Sequence, residues 1–547
     1  MSGFVIGVDV GTGSARAGVF TATGELLGSA SVPITMWIPR PGYAEQSSEN
    51  IWSSIRTATA EALKRSSISG DQVAGICFDA TCSLVVLGDN DIPLTISPDG
   101  SSEQNIIMWM DHRALAETDE INAGDYEVLK YVGGKLSPEM ETPKLLWLKR
   151  HLPDTYCQAR KFLDLADYLT YRSTGVDARS LCTVVCKWTY DGQNGSWDRA
   201  FFDEIGLSDL FDHNRVVNDV RPMGDPIGTL TEAAAVDLGL TTSCVVGIGI
   251  IDAHAGGLGV LGAIWEGRPN TDPAQLETAL ALIGGTSNCH MAVSREPVFI
   301  DGIWGPYYGA MVTGMWLTEG GQSTAGSAID HVIANHANAA ELRRAAEAAG
   351  RTVYELLNEQ LAKLTTDSGV AYSALLTRSI HVLPYFLGNR SPHADPHAHA
   401  AIEGLDLDET ITSQALLYYA TIQAVAYGTR DIVRAMNESG YRIDTLFVTG
   451  GGVKNPLWLQ EHADATGLTL VLPREPEAVL LGTAILAARA AGIYENVSEA
   501  MQAMSHSGSI VHPDPSTAKY HAAKFEVFKG LYNEQLLHRQ VMAHFSS

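Results

Sequence analysis

Three stretches of this chain set glycines and hydroxyl side chains where an apolar run stops. The first is Asp9-Val10-Gly11-Thr12-Gly13-Ser14-Ala15-Arg16, after the run FVIGV at 4–8. Glycines let backbone N–H groups close on an anion, and the Thr12 and Ser14 hydroxyls add donors. Arg16 supplies a cation, and Asp9 suits a metal-bound water. The second is Gly284-Gly285-Thr286-Ser287, which closes the run ALALI. It too can cradle a phosphate. The third is Gly450-Gly451-Gly452-Val453-Lys454-Asn455-Pro456, where three successive glycines leave one face of a turn open to a flat ring. None has the P-loop spacing GxxxxGK[ST] or the dinucleotide spacing GxGxxG. Taken singly, the first serves equally well as a plain glycine hairpin and the second is a weak signal, whereas the strongly apolar, regular flanks of the third argue against a flexible loop.

A fourth feature is an acid in an apolar setting. Residues 243–265 (SCVVGIGIIDAHAGGLGVLGAIW) are long and apolar enough to imitate a membrane span. Asp252 and His254 near the centre, with interspersed glycines, favour a buried strand, a turn and the start of a small-residue helix. A carboxylate is costly to bury without a role, so Asp252 is the candidate general base. A helix N-cap at the same position is compatible with that role.

These residues need strands and helices to position them. Residues 4–8 and 17–20 read as two strands joined by the first glycine turn. Residues 49–65 space Ile51, Ile55, Ala58 and Ala62 at helical intervals. VAGICF at 73–78 and LVVL at 84–87 read as strands. The same grammar returns late: a helix at 414–436, a strand TLFVTGGG at 445–452, a helix at 457–466, a strand at 468–472 and a helix at 477–491. The alternation implies an α/β layer architecture. Gly267, Pro269 and Pro273 mark a boundary within 261–275. The expected domains are 1–265 and 276–547, two similarly built halves meeting at a cleft. Aromatics and leucines at helical spacing in 515–545 predict a closing helix, packed on the core or serving a homodimer.

The chain has 547 residues with 37 Lys+Arg against 63 Asp+Glu, a net charge of −26. So acidic a chain repels nucleic acid and anionic lipid, and no basic run offsets this. Any phosphate must therefore be held by glycine-turn amides, a few cations and a metal. Seven cysteines without a CxxC pair predict free buried thiols in a reducing compartment rather than zinc. The N-terminus lacks a basic, then apolar, leader, so a cytoplasmic protein is expected. His393, His397 and His399 with Asp395 resemble a metal cluster, but the intervening prolines favour a loop.

In combination the turns resemble the ATPase core shared by sugar kinases, actin and Hsp70-type chaperones. The order DVGTGSAR, WMDHRA at 109–114, IIDAHAG, GGTSN and TGGGVKNPLWLQ resembles the FGGY carbohydrate kinases across residues 4–495. That resemblance implies two actin-like, ribonuclease H-like domains with ATP and a sugar in the cleft, and transfer of the γ-phosphoryl group to a sugar hydroxyl. It implies Asp252 as catalytic base and Asp9 as a metal site, through water, for Mg²⁺. It implies ATP contacts from Gly11, Thr12, Gly13, Ser14, Arg16, Gly285, Thr286, Ser287, Gly451, Gly452 and Asn455.

Sugar contacts are implied for Ala80, Thr81, Asp111, Lys187, Asp252 and Glu319. Glycerol kinases carry Arg-Glu, and xylulokinases Met-His, where this chain has Ala80-Thr81. The run Thr81-Cys82-Ser83-Leu84-Val85, Cys186-Lys187-Trp188 and Glu319 before Gly-Gly-Gln-Ser resemble the D-ribulokinase subgroup. Lys187 only donates and Glu319 only accepts, so together they can read ketose hydroxyls directionally. Glu141 stands where a Pro, Ser or Thr is usual, which weakens the assignment around Glu139. The expected reaction is D-ribulose to D-ribulose 5-phosphate. L-ribulose, D-xylulose and pentitols remain alternatives. A nucleotide switch without a sugar is the rival of another class.

Overall fold

The computed structural model describes residues 3–545. Two mixed seven-stranded sheets organise it. The first contains β1 (Phe4–Val10), β2 (Ser14–Phe20), β3 (Leu26–Pro33), β4 (Val73–Ala80), β5 (Pro226–Thr229), β6 (Val245–Gly247) and β7 (Ile250–Ile251). Its order is β5-β6-β4-β1-β2-β3, with β7 pairing along β4. The second contains β8 (Ala279–Gly284), β9 (Asn288–Ser294), β10 (Trp304–Tyr308), β11 (Trp316–Gln322), β12 (Thr445–Gly450), β13 (Thr469–Pro473) and β14 (Ser507–Val511). Its order is β10-β11-β9-β8-β12-β13-β14.

The two orders are the same plan. β1 and β8 each run antiparallel into a hairpin partner, β2 and β9. On its other side each pairs in parallel, β1 with β4 and β8 with β12. This repeat is the expected pair of ribonuclease H-like halves. The strand β3 is an addition that the sequence pattern did not announce, since LLGSASVP lacks a continuous apolar run and is only partly buried.

The elements of the long apolar stretch resolve into β6, β7 and α1 (Asp252–Leu261). Helix α1 begins at Asp252, and the run up to it is strand rather than helix. Among the described residues no helix is long and apolar enough to cross a membrane. A second small-residue helix, Ala478–Ala490, lies against α1 and against β1 and β4 of the first sheet, although it comes from the second half of the chain. Gly482 makes this crossing possible: a Cβ there would sit 1.8 Å from the Ala255 carbonyl. Two such helices approach backbone to backbone, so the halves join through close packing rather than long side chains.

The predicted closing helix spans Ala518–Met542. It buries Phe525, Phe528, Leu531 and Tyr532 at helical spacing, each worth about 1.5–3 kcal/mol of transfer free energy. The same helix holds the histidine-rich loop. His393 stacks on Tyr532 at 4.1 Å, and Asp395 accepts from Tyr532 and Arg539. His397 is exposed and the His399 backbone N–H donates to Gln535, so the His393 and Asp395 side chains are the ones that anchor the loop.

Candidate active site

Strand register brings three carboxylates together at one sheet end. Asp9, near the end of β1, pairs in register with Asp79 on β4. Asp79 in turn pairs with Ile250 of β7, and Asp252 follows two residues later. In mixed α/β sheets ligands collect beyond the carboxyl ends of parallel strands, and this is such an end. Asp79 was not among the candidates, although an acid closing the strand VAGICFDA was the available signal.

Burial acts on all three, and the Asp9 charge adds to it at the other two. Burial raises the Asp252 carboxyl to about 6, with the Asp9 charge adding to it and the Ala253 N–H, at 2.7 Å, opposing it. A base titrating near neutrality is matched to its task. Burial and then the neighbouring Asp9 push Asp79 well above the usual carboxylate range. Burial also raises Asp9, against the opposing charge of Arg16, which forms an ion pair with it. Arg16 reaches Glu477 at 3.1 Å as well, and Thr483 donates to Asp79, so the second half of the chain closes over these acids.

The first glycine turn is a tight hairpin in which Gly11 N–H donates to Ser14 O at 3.0 Å. The Thr12 carbonyl accepts from Gln46 and its hydroxyl from the Trp109 indole at 3.1 Å, which fixes the loop. Gly13 is exposed at the tip, and Ser14 opens β2. The second turn has Gly285 and Thr286 exposed, with Ser287 beside them. Helix α2 (Gly326–Asn335) starts against it, with Ala325 and Ser327 N–H donating to Thr286 O. That helix N-terminus therefore fixes the turn rather than facing a ligand.

The third turn lies next to the second, because Gly284 and Gly450 pair in register. Gly450 has φ +97°, and a Cβ there would sit 2.2 Å from Gly284 O. Gly451 and Gly452 lead from it into the helix Pro456–Thr466. Asn455 caps that helix, accepting from Leu457 N–H, and its amide donates to Tyr418. The structure thus gives Asn455 a capping role, which the motif did not reveal.

The expected sugar residues divide. Lys187 ends the helix Leu181–Lys187 and is buried, its ammonium 4.6 Å from the Trp304 ring centroid. Among the described residues it makes no hydrogen bond. Glu319 on β11 is buried too, with Oε2 on the His254 ring at 3.2 Å. Burial would raise its carboxyl, but His254 and then Lys187 and Arg390 outweigh that and hold it at about 2. Arg390 stacks on the other part of this pocket, over Trp304 at 5.1 Å and paired with Glu139 at 3.2 Å. Trp304 was not singled out from the sequence. Ala80 pairs with Ile251 of β7, and Thr81 follows it with its N–H on Val10 O and its hydroxyl against that of Ser83.

Asp111 is a correction. Its Oδ1 accepts from the Arg113 N–H and Nε, both at 2.9 Å. Its Oδ2 accepts from Ala44 N–H at 2.6 Å and Arg113 Nη2 at 2.8 Å. Both oxygens are filled, and the residue is completely buried. Asp111 holds the WMDHRA loop through Arg113, with Glu45 as the second anion, and has no acceptor capacity left for a sugar.

Paired glycine turns, converging acids and a buried polar pocket on a duplicated ribonuclease H-like fold define an ATP-dependent phosphotransferase. Models of the FGGY family of carbohydrate kinases match it twice, the N-terminal domain over residues 4–259 and the C-terminal domain over 280–491. The human FGGY carbohydrate kinase domain-containing protein is 45% identical, with 98% of each chain covered. The D-ribulokinase of Saccharomyces cerevisiae is 39% identical over 91% of this chain and 73% of its own. Among solved structures, a xylulose kinase from Rhodospirillum rubrum superposes with a TM-score of 0.75 at 24% identity, covering 97% of this chain and 98% of that one. This chain belongs to the FGGY carbohydrate kinase family. It is a kinase of small sugars, and the rival reading as a sugar-free nucleotide switch falls away.

Proposed function

We propose that the acceptor is D-ribulose and that its terminal hydroxyl is phosphorylated to give D-ribulose 5-phosphate. The observation that carries the reading is the buried pair Lys187 and Glu319. One only donates and the other only accepts, and each keeps capacity unused by the protein. The pocket charge supports a neutral sugar. Lys187 and Arg390 face Glu319 and Glu139, so no cation is left over for an acidic sugar. The similarity to the yeast D-ribulokinase favours D-ribulose over other pentuloses.

In the proposed reaction Asp252 accepts the hydroxyl proton as the sugar oxygen bonds to the γ-phosphorus of ATP. The bond from that phosphorus to the bridging oxygen breaks, and ADP leaves with the electron pair. The first turn, Gly11 to Ser14, and the second, Gly285 to Ser287, offer backbone and hydroxyl donors to phosphoryl oxygens, and Gly451-Gly452 a flat face for adenine. Positioning and charge neutralisation then carry the catalysis. Mg²⁺ would be held beside Asp9, whose Oδ1 is buried without a hydrogen bond, in the oxygen-rich setting that such an ion requires. There it would supply neutralisation of phosphate charge. Residues 1–265 would carry the base, Lys187 and the first phosphate turn, and 276–547 the rest of the nucleotide site together with Glu319, which reaches the sugar from the second half.

The test is relative kcat/KM across D-ribulose, L-ribulose, D-xylulose and the pentitols. D-Ribulose should exceed the others by about tenfold or more, the discrimination expected when buried polar groups lose a partner. A higher value for any of the others replaces the acceptor while leaving the kinase intact.

A further inference from the structure

One buried cluster has no part in the reaction just described. Cys182 and Cys186 lie on the helix Leu181–Lys187, which ends in the sugar-facing lysine. His254 lies on α1, two residues after the proposed base. Its Nδ1 is 3.0 Å from the Cys182 sulfur and its Nε2 is 3.2 Å from Glu319 Oε2. All four side chains are buried, Cys182 and Cys186 completely.

The two sulfurs and the imidazole lie within 4.8 Å of one another, as ligands of a metal ion would. The close contact argues otherwise. Tetrahedral zinc, with bonds of about 2.3 Å to sulfur and 2.0 Å to nitrogen, would hold those atoms about 3.5 Å apart. At 3.0 Å the sulfur and Nδ1 share a proton directly. With that proton on either atom, the only ring proton left for Nε2 points at Glu319. Cys182 therefore fixes which nitrogen donates to the carboxylate.

We propose that His254 is a positioning residue of the sugar site, clamped between Cys182 and Glu319 so that the Glu319 carboxylate is aimed at the acceptor hydroxyls. This rests on the reading that Glu319 binds the sugar. The clamp joins three elements: the helix of Lys187, the helix of Asp252, and β11 of the second sheet. It makes the sugar-reading carboxylate and the base neighbours of one imidazole. The surrounding charges agree with it. Burial would lower His254, but Cys182 and Glu319 outweigh burial and raise it to about 10. Burial would raise the Cys182 thiol, but the Cys186 thiol and His254 together bring it well below the ordinary thiol range. Other ionisable groups that bear on the clamp are Asp252 on the same helix, Lys187, Arg390, Cys289 and Tyr307 around Glu319, and Asp164 and Asp167 near Cys182.

The test combines kinetics with histidine NMR on the full chain. His254→Gln should raise the pentulose KM about tenfold while the KM for ATP stays within about twofold, the split expected when ground-state sugar binding alone is weakened. Cys182→Ser should raise the pentulose KM less, because serine can still accept from Nδ1. In ¹⁵N-histidine spectra without sugar, the signal lost in His254→Gln should have both nitrogens protonated at pH 7.5, and Cys182→Ala should convert it to a neutral ring. A pentulose KM that His254→Gln leaves unchanged while Glu319→Gln raises it overturns the positioning role. If Glu319→Gln itself leaves KM unchanged, the sugar reading of Glu319 fails instead. The sugar-free NMR signal still judges the clamp, and a neutral His254 ring protonated on Nδ1 and insensitive to Cys182→Ala refutes it. Should His254→Gln not fold, the Cys182→Ser and Cys182→Ala measurements decide by themselves.

Discussion

The turn between β1 and β2 and the turn between β8 and β9 share a closing hydrogen bond, Gly11 N–H to Ser14 O at 3.0 Å and Gly285 N–H to Ser287 O at 2.9 Å. Their strands have the same neighbours and the same sense. Their surroundings differ. Asp9, Asp79, Asp252 and Arg16 crowd the first, whereas the strand ends around the second, Ile283-Gly284 and Thr449-Gly450, carry no charge. Duplicating a fold therefore duplicates the backbone cradle but not the chemistry. In the proposed mechanism both turns hold phosphoryl oxygens, and only the first lies beside a base and a metal.

The sharpest break of this comparison is Asp252→Asn. It should lower kcat by about 10³-fold, within the range for removing a general base, with both KM values changed only a few-fold. A kcat within tenfold of the parent would refute Asp252 as the base. The charge state of the same residue predicts the pH profile. With the carboxyl at about 6, kcat should fall about tenfold between pH 7 and pH 5 as the base is protonated. The linkage has the opposite sense for stability. A folded value above the ordinary 3.8 stabilises the fold at low pH, and this is lost as pH rises through about 6. Asp252→Asn should accordingly raise the melting temperature at pH 8 and lose that advantage at pH 4. Calorimetry at both pH values checks this, and equal shifts would contradict a buried, raised carboxyl.

The glycines separate the two turns more finely. Neither Gly13 nor Gly285 would crowd the protein with a Cβ, since the nearest atom to the first lies beyond 4 Å and to the second at 3.5 Å. Alanine at either should fold normally and raise the KM for ATP by about tenfold, if backbone there approaches phosphate. Gly13→Ala should also lower kcat, because its turn borders the acids. Gly285→Ala should leave kcat within about twofold. Equal effects on kcat would erase the division of labour between the turns.

Much of this arrangement was legible in the residues. The apolar runs stopping at glycine turns located β1, β8 and β12, and the carboxylate isolated in an apolar run at Asp252 turned out to lie beside Asp9 and Asp79. What stayed hidden depends on contacts between distant segments. Asp79 looks like any strand-ending acid until register sets it against Asp9. Asn455 reads as a ligand in a glycine-rich loop and turns out to cap a helix. The small residues of Ala478–Ala490 suggest a helix, but not that it crosses to the first sheet. His254 was noted only as a polar residue in an apolar run, because its partners lie 72 and 65 positions away.

Asp111 gives the smallest expected effect on catalysis and a large one on stability. Resemblance placed it among the sugar contacts, yet Arg113 and two backbone N–H groups occupy both its oxygens. Arg113 is itself completely buried, stacked over Tyr43 at 4.3 Å and Trp147 at 5.0 Å, and depends on Asp111 and Glu45 for its countercharge. Asp111→Asn turns one acceptor into a donor facing donors and leaves the guanidinium with a single anion. Breaking one side of such a buried pair costs roughly 3–5 kcal/mol. The variant should therefore melt earlier and unfold at lower urea, while the folded enzyme keeps its pentulose KM within about twofold, a margin too small for a lost buried hydrogen bond to substrate. A tenfold rise in that KM at unchanged stability would return Asp111 to the sugar site and require the Ala44–Arg113 network to open when substrate binds.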